Sequence, residues 1–125
     1  MQKVEHQLAK AVGLTQFGVN RLTLEPGAES SLRHWHEKED EFVYVISGTV
    51  TLVDDTGERV RTAGALAGFP AGVANAHQLL NRSAATAELL VVGTRHVGEE
   101  VIHYPDKAEL GAVSVFRDLR GDRVS

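Results

Sequence analysis

Apolar residues in this chain recur mostly at every second position, in short runs broken by turn residues. Across residues 17–24, Val19, Arg21 and Thr23 alternate with Asn20, Leu22 and Leu24, which predicts a strand closed by the turn Glu25-Pro26-Gly27. Residues 32–36 predict the next strand, followed by a polar loop, Glu37-Lys38-Glu39-Asp40. Beyond it, Glu41, Val43 and Val45 share one face, and Phe42, Tyr44 and Ile46 share the other. Both faces are apolar, whereas a half-solvated antiparallel strand shows one polar face. A second copy of the chain is the expected cover, and a homodimer is the resulting expectation.

Residues 49–53 and 58–61 read as a hairpin about Asp54-Asp55-Thr56-Gly57. Short strands follow at 66–69 and 77–81, separated by Pro70-Ala71-Gly72, and a buried strand at 87–93. Only the start departs from this rule: Val4, Leu8 and Val12 recur at helical spacing, which predicts a short helix or a loosely attached arm. After Arg95 the alternation loosens, with 113–116 a final edge strand. Many short strands with frequent turns and one weak helical pattern predict an all-β sandwich or barrel.

At 125 residues the chain has room for one hydrophobic core. Thirteen basic and 17 acidic residues are interspersed without a basic stripe, so no nucleic-acid partner is expected. There are no cysteines, which removes disulfides, thiolate metal sites and a cysteine nucleophile. No apolar run is long enough to span a membrane and no signal-peptide core opens the chain, so the expectation is a cytoplasmic protein without a membrane partner. No serine sits in a nucleophile-elbow sequence.

The chemistry concentrates in two stretches. In 27–48, His34 and His36 stand two residues apart, an offset that puts both imidazoles on one side of a strand, and Glu41 follows. In 64–81, His77 follows a Pro-Gly turn. Three histidines and a carboxylate suit a divalent metal: iron, manganese, nickel, copper, cobalt or zinc. By the same parity Arg33 and Trp35 point away from the histidines, and Tyr44 packs on the outer face. His6, His96 and His103 lie outside both stretches, while Arg95 and Tyr104 are able to reach a barrel mouth.

These two stretches resemble the paired motifs of the cupins. Gly27, His34, His36, Glu41 and Gly48 follow the first motif with one residue added, and Gly64, Pro70, Gly72, His77 and Asn81 follow the second with a longer gap before the histidine. Ala65 stands where many cupins have aspartate. The segments G-L-T-Q-F-G-V-N, E-D-E-F-V-Y-V, V-G-T-R and H-Y-P-D are similar to small single-domain bacterial cupins without an assigned reaction. The resemblance implies a jelly-roll β-barrel with His34, His36, Glu41 and His77 binding one metal ion inside it, while Pro70, Gly72 and Asn81 shape turns. On that frame the chain divides into an N-terminal arm (1–16), a barrel core (17–94) and a C-terminal extension (95–125).

A divalent ion with one carboxylate and three neutral imidazoles carries about one positive charge, which attracts a small oxygen-rich anionic metabolite. The expected activity is of oxygenase or isomerase type, with no general acid or base evident in the sequence. The alternatives are a barrel that binds or senses a small molecule without chemistry, and a dimeric scaffold with a vestigial site.

Overall fold

The computed structural model describes residues 2–124. Its chain order is β1 (Lys3–Gln7), α1 (Leu8–Ala11), β2 (Phe17–Leu24), β3 (Trp35–His36), β4 (Glu41–Ser47), β5 (Thr49–Asp54), β6 (Gly57–Thr62), β7 (Leu66–Phe69), β8 (Gln78–Leu80), β9 (Ala87–Thr94), β10 (Gly98–Tyr104), β11 (Gly111–Arg117) and β12 (Arg123–Val124). Five strands form one wall in the order β1-β2-β9-β4-β7, with every pairing antiparallel. The opposite wall is built from β12-β11-β10-β3 and β6-β5-β8. An isolated bridge between His34 and His77 joins these two smaller sheets. This is the jelly-roll barrel that the sequence predicts.

Alternation sets the core. Leu22 and Leu24 of β2, Val43 and Val45 of β4, Val50 and Leu52 of β5, and Leu89 of β9 are all buried in one cluster with Phe69 and Leu79. Each such side chain contributes roughly 1.5–3 kcal/mol by leaving water. Their alternates on β4, Phe42, Tyr44 and Ile46, remain exposed on the outer surface. Strand β4 ends in a register shift after Val45 and turns at Gly48, whose φ is +84°. A Cβ at that position would stand 2.8 Å from Ala87 Cα, so both the turn and the packing require glycine.

Three regions differ from the sequence expectation. Residues 3–7 form an edge strand paired with β2, and the helix is a single turn in which only Ala9 is buried. Leu8 and Val12 are exposed, so their helical spacing reflected no core. The segment 32–36 is strand only at Trp35 and His36, because His34 pairs across to His77 and not to a continuous neighbour. The C-terminal segment is a sheet: β11 lies between β10 and β12, and β10 also pairs with β3. Strand β10 was hard to read because one of its core positions is Glu100, a glutamate with no exposed surface.

Candidate metal centre

The His34–His77 bridge is a hydrogen-bonded antiparallel pair: His34 N donates to His77 O at 3.2 Å, and His77 N donates to His34 O at 2.9 Å. Directly opposed residues in such a pair project to the same face, so the backbone itself brings the two imidazoles together. His36, two residues on, follows on that face, with its ring centroid 5.0 Å from that of His34. Glu41 comes from the other wall, where it opens β4 between Gly93 and Phe69. The structure thus gathers all four residues. Ligating atoms of His34, His36 and Glu41 lie within 4.8 Å of one another, and His77 Nε2 touches Glu41 Oε1.

Two of the histidines are oriented from behind. His77 Nδ1 lies 3.0 Å from the carbonyl oxygen of Asn75, and its ring stacks on Phe69 at 3.5 Å. His34 Nδ1 lies 2.8 Å from Leu32 O. A carbonyl can only accept, so Nδ1 carries the proton in both rings and Nε2 turns its lone pair inward. A lone pair on His77 Nε2 facing the Glu41 carboxylate requires a positive centre between them, either a proton or a cation. A proton alone satisfies that contact; what fits the donor set to a divalent ion is the convergence of His34, His36 and Glu41 within 4.8 Å, with His77 beside them.

The charge states agree with this fit. Burial lowers the pKa of His34 and, reinforced by the nearby His34 ring, pushes His36 down to about 4. Burial by itself would raise Glu41, but the His77 hydrogen bond and the neighbouring imidazoles outweigh it and hold Glu41 low. Neutral imidazoles and an ionised carboxylate are the forms that bind a metal.

Behind this centre lies a second group that sequence reasoning missed. Glu39, 3% exposed, receives Arg117 Nε at 2.7 Å and Nη2 at 3.2 Å, together with the His96 backbone N–H at 2.9 Å. Glu100 accepts the backbone N–H groups of Glu37, Lys38 and Val101 at 2.8–3.1 Å. Together these two carboxylates fix the loop 37–40 between His36 and Glu41. His36 Nδ1 is buried without a hydrogen-bond partner and faces Glu39 Oε1 at 3.8 Å. The only sequence signal was the polar run Glu37-Lys38-Glu39-Asp40, which reads as solvated; the partners of Glu39, His96 and Arg117, lie 57 and 78 residues away.

The remaining candidates fall as follows. Arg33 pairs with Asp106 and Asp55, and Trp35 stacks on His103 at 4.0 Å, both away from the centre. His6 is exposed on β1, and the His96 contact to Glu39 is through its backbone. Tyr104 lies near His34, with ring centroids 6.0 Å apart. Asn81, fully buried, donates to Leu24 O and Ala85 O and accepts from Ser83, so it ties strand ends together. Gly72 donates its N–H to His36 O at 2.9 Å, fixing the backbone of that residue.

Two cavities meet the centre. One of about 200 Å³ is lined by His34, Glu41 and His77. The other, about 810 Å³, reaches from His36 and Glu41 to Arg95, Arg117, Arg120 and Arg123 at the barrel mouth.

A barrel of this topology with three histidines and a glutamate at its heart is a cupin: the Cupin_2 family, described as cupin domain, matches residues 20–93, and the chain belongs to it. Among solved structures it is similar over 98% of its length to a cupin-superfamily sugar phosphate isomerase from Silicibacter pomeroyi DSS-3, with 43% identity, 83% of that chain covered and a TM-score of 0.82. A candidate sugar phosphate isomerase from Acidithiobacillus ferrooxidans ATCC 23270 matches over 98% of this chain and 74% of its own at 32% identity, also with a TM-score of 0.82. A protein from Thermus thermophilus matches over 74% of this chain and 83% of its own, at 27% identity and a TM-score of 0.64. No curated protein matches the chain.

Proposed function

We propose that this cupin is a metal-dependent isomerase acting on a small phosphorylated sugar, with His34, His36, Glu41 and His77 holding one divalent ion. The observation that carries the metal is the convergence of ligating atoms from His34, His36 and Glu41 within 4.8 Å of one another, with His77 Nε2 beside Glu41. The reaction class rests on the near full-length likeness to two sugar phosphate isomerase-type structures, which takes in the strands and turns around the mouth. Iron, manganese, nickel, copper, cobalt and zinc all suit the donor set. When bound, the ion supplies a Lewis acid that polarises a substrate carbonyl and lowers the pKa of an adjacent hydroxyl. The chain itself holds Glu41 ionised and the His34 and His36 imidazoles neutral, and opens the centre onto a cavity with cationic walls.

The exposed face of β4 and its neighbours supports a homodimer. Register places Val19, Val92 and Phe42 in one row and Leu90, Tyr44 and Leu66 in the next, an apolar surface on the outside of the five-stranded wall that Arg21 borders beside Leu90. Light scattering is expected to give twice the chain mass, and Phe42→Asp to give the monomer; a monomeric native protein would remove this part of the reading.

Metal analysis of protein purified without added metal, beside His77→Ala, tests the centre. About one equivalent is expected in the native protein and little in the variant. NMR of the native protein with a panel of aldose and ketose phosphates is expected to show interconversion that the variant does not catalyse. Stoichiometric metal with no interconversion anywhere in the panel would replace the isomerase reading with that of a binding barrel.

A further inference from the structure

The arginines at the mouth are not equivalent. Arg117 is saturated: its guanidinium donates to both Glu39 oxygens and to Gly121 O. Arg95 lines the same cavity, yet among the described residues its guanidinium makes no hydrogen bond and no ion pair. Its backbone N–H is fixed to Gln16 O at 3.1 Å.

A built notch nevertheless positions this side chain. Gly18 and Gly93 oppose each other in the β2–β9 ladder, so neither presents a side chain there. A Cβ added at Gly18 would meet Arg95 Nη2 at 2.2 Å and Cζ at 2.4 Å, and one at Gly93 would meet Nη1 at 3.9 Å. Over the aliphatic stem, a Cβ on Gly121 would stand 3.1 Å from Arg95 Cβ, and Gly121 has a φ of +77°. The guanidinium therefore lies flat on bare backbone, held by shape while its N–H donors remain free.

The surroundings call for an anion. Burial and the nearby Arg117 and Arg123 all act to lower the pKa of Arg95, opposed by Glu39 and Glu5. In the cavity wall Arg117 is neutralised by Glu39, and Lys10 pairs with Asp122 at 3.3 Å. Arg120 and Arg123, like Arg95, form no ion pair among the described residues, and the remaining free carboxylate of the mouth is Glu5.

We propose that Arg95, seated in the Gly18–Gly93 notch and flanked by Arg123, is the subsite for the phosphoryl group of the substrate. The sugar then extends from this subsite along the cavity toward His36 and Glu41. A guanidinium with free N–H donors and a fixed plane suits bidentate contact to two phosphate oxygens. The identity of the anion rests on the sugar phosphate reading above; the geometry of the subsite does not.

The test uses inorganic phosphate and needs no turnover. Calorimetric titration of the full chain, as purified and after chelation, is expected to show saturable phosphate binding in both. Arg95→Gln weakens it at least about tenfold, Arg95→Lys less, and Gly18→Ala weakens it with the charge retained, because its Cβ occupies the guanidinium position. Metal content stays native in all three. In the unmutated chelated protein, phosphate is expected to protect Arg95 from phenylglyoxal, read by peptide mass, which keeps the test valid should a variant misfold. No saturable binding, binding that vanishes on chelation and ignores Arg95→Gln, or equal modification of Arg95 with and without phosphate would each overturn the subsite. Because these readouts precede chemistry, a barrel that binds phosphate at Arg95 yet isomerises nothing would sink the proposed function alone.

Discussion

His36 stands between two clusters of the same residue types that have opposite character. Toward the cavity it meets His34, Glu41 and His77; behind it lie Glu39 and Glu100. The ligating atoms of His36 with His34 and Glu41, and of His36 with Glu39 and Glu100, lie close enough for an ion. What separates them is the occupation of their lone pairs. Glu100 already accepts three backbone N–H groups and Glu39 a bidentate arginine with a further N–H, so most of their acceptor capacity is used. Among the described residues Glu41 has one hydrogen-bond partner, His77, and their contact is itself incomplete without a positive centre. A constellation of ligating residues is therefore read from what its atoms still lack, not from its composition.

This contrast predicts that the rear cluster governs stability and the front one metal. The largest effect is expected from Arg117→Met, which leaves Glu39 buried without its partner. Urea denaturation should show a loss of about 3–5 kcal/mol, with metal content still near one equivalent in the folded fraction. A Glu100→Gln variant comes next, at about 1–3 kcal/mol, since one amide oxygen replaces two carboxylate oxygens facing the same N–H groups. Glu41→Gln should cost less than about 1 kcal/mol, because a group poised for an ion adds little to the metal-free fold, yet should abolish stoichiometric metal. A large loss of stability in Glu41→Gln with metal retained would erase the distinction.

Another carboxylate sharpens the comparison away from His36. Asp54 is a saturated carboxylate in the β5–β6 hairpin, accepting from Thr56 N, Thr56 Oγ1 and Arg59. Burial opposes its ionisation, but these bonds and Asn75 outweigh it and hold the carboxyl at about 2. A pKa below the unfolded value of about 3.9 gives a stabilising contribution that is complete above that value and lost as pH falls toward 2. The side chain is 3% exposed but borders the solvated turn, so after screening the loss is of order 1 kcal/mol. Acid denaturation followed by circular dichroism should show this slope in the native protein and not in Asp54→Asn.

Much of this arrangement was legible in the sequence. The hairpin, the alternation in β2 and β4, and the spacing of His34, His36, Glu41 and His77 are local patterns, and the fold preserves each. The rear cluster was illegible because its terms are nonlocal. Glu39 and Glu100 look like solvent-facing charges until Arg117 and the backbone of 37–38 are brought to them from distant strands. Arg95 was legible as a residue able to reach the barrel mouth, but not as a seated one; the opposed glycines that give it a shape lie in two strands paired across some 75 positions of sequence.

The Lys10–Asp122 contact joins residues 112 positions apart, the longest separation among the side-chain contacts described. Taken alone, it would close a very long loop. Once the β2–β9 ladder has paired Phe17 with Thr94, however, the loop left to close is far shorter than the separation in sequence, and loop-closure entropy grows with the logarithm of loop length. The ladder thus lowers the entropic cost of the contact that seals the rim.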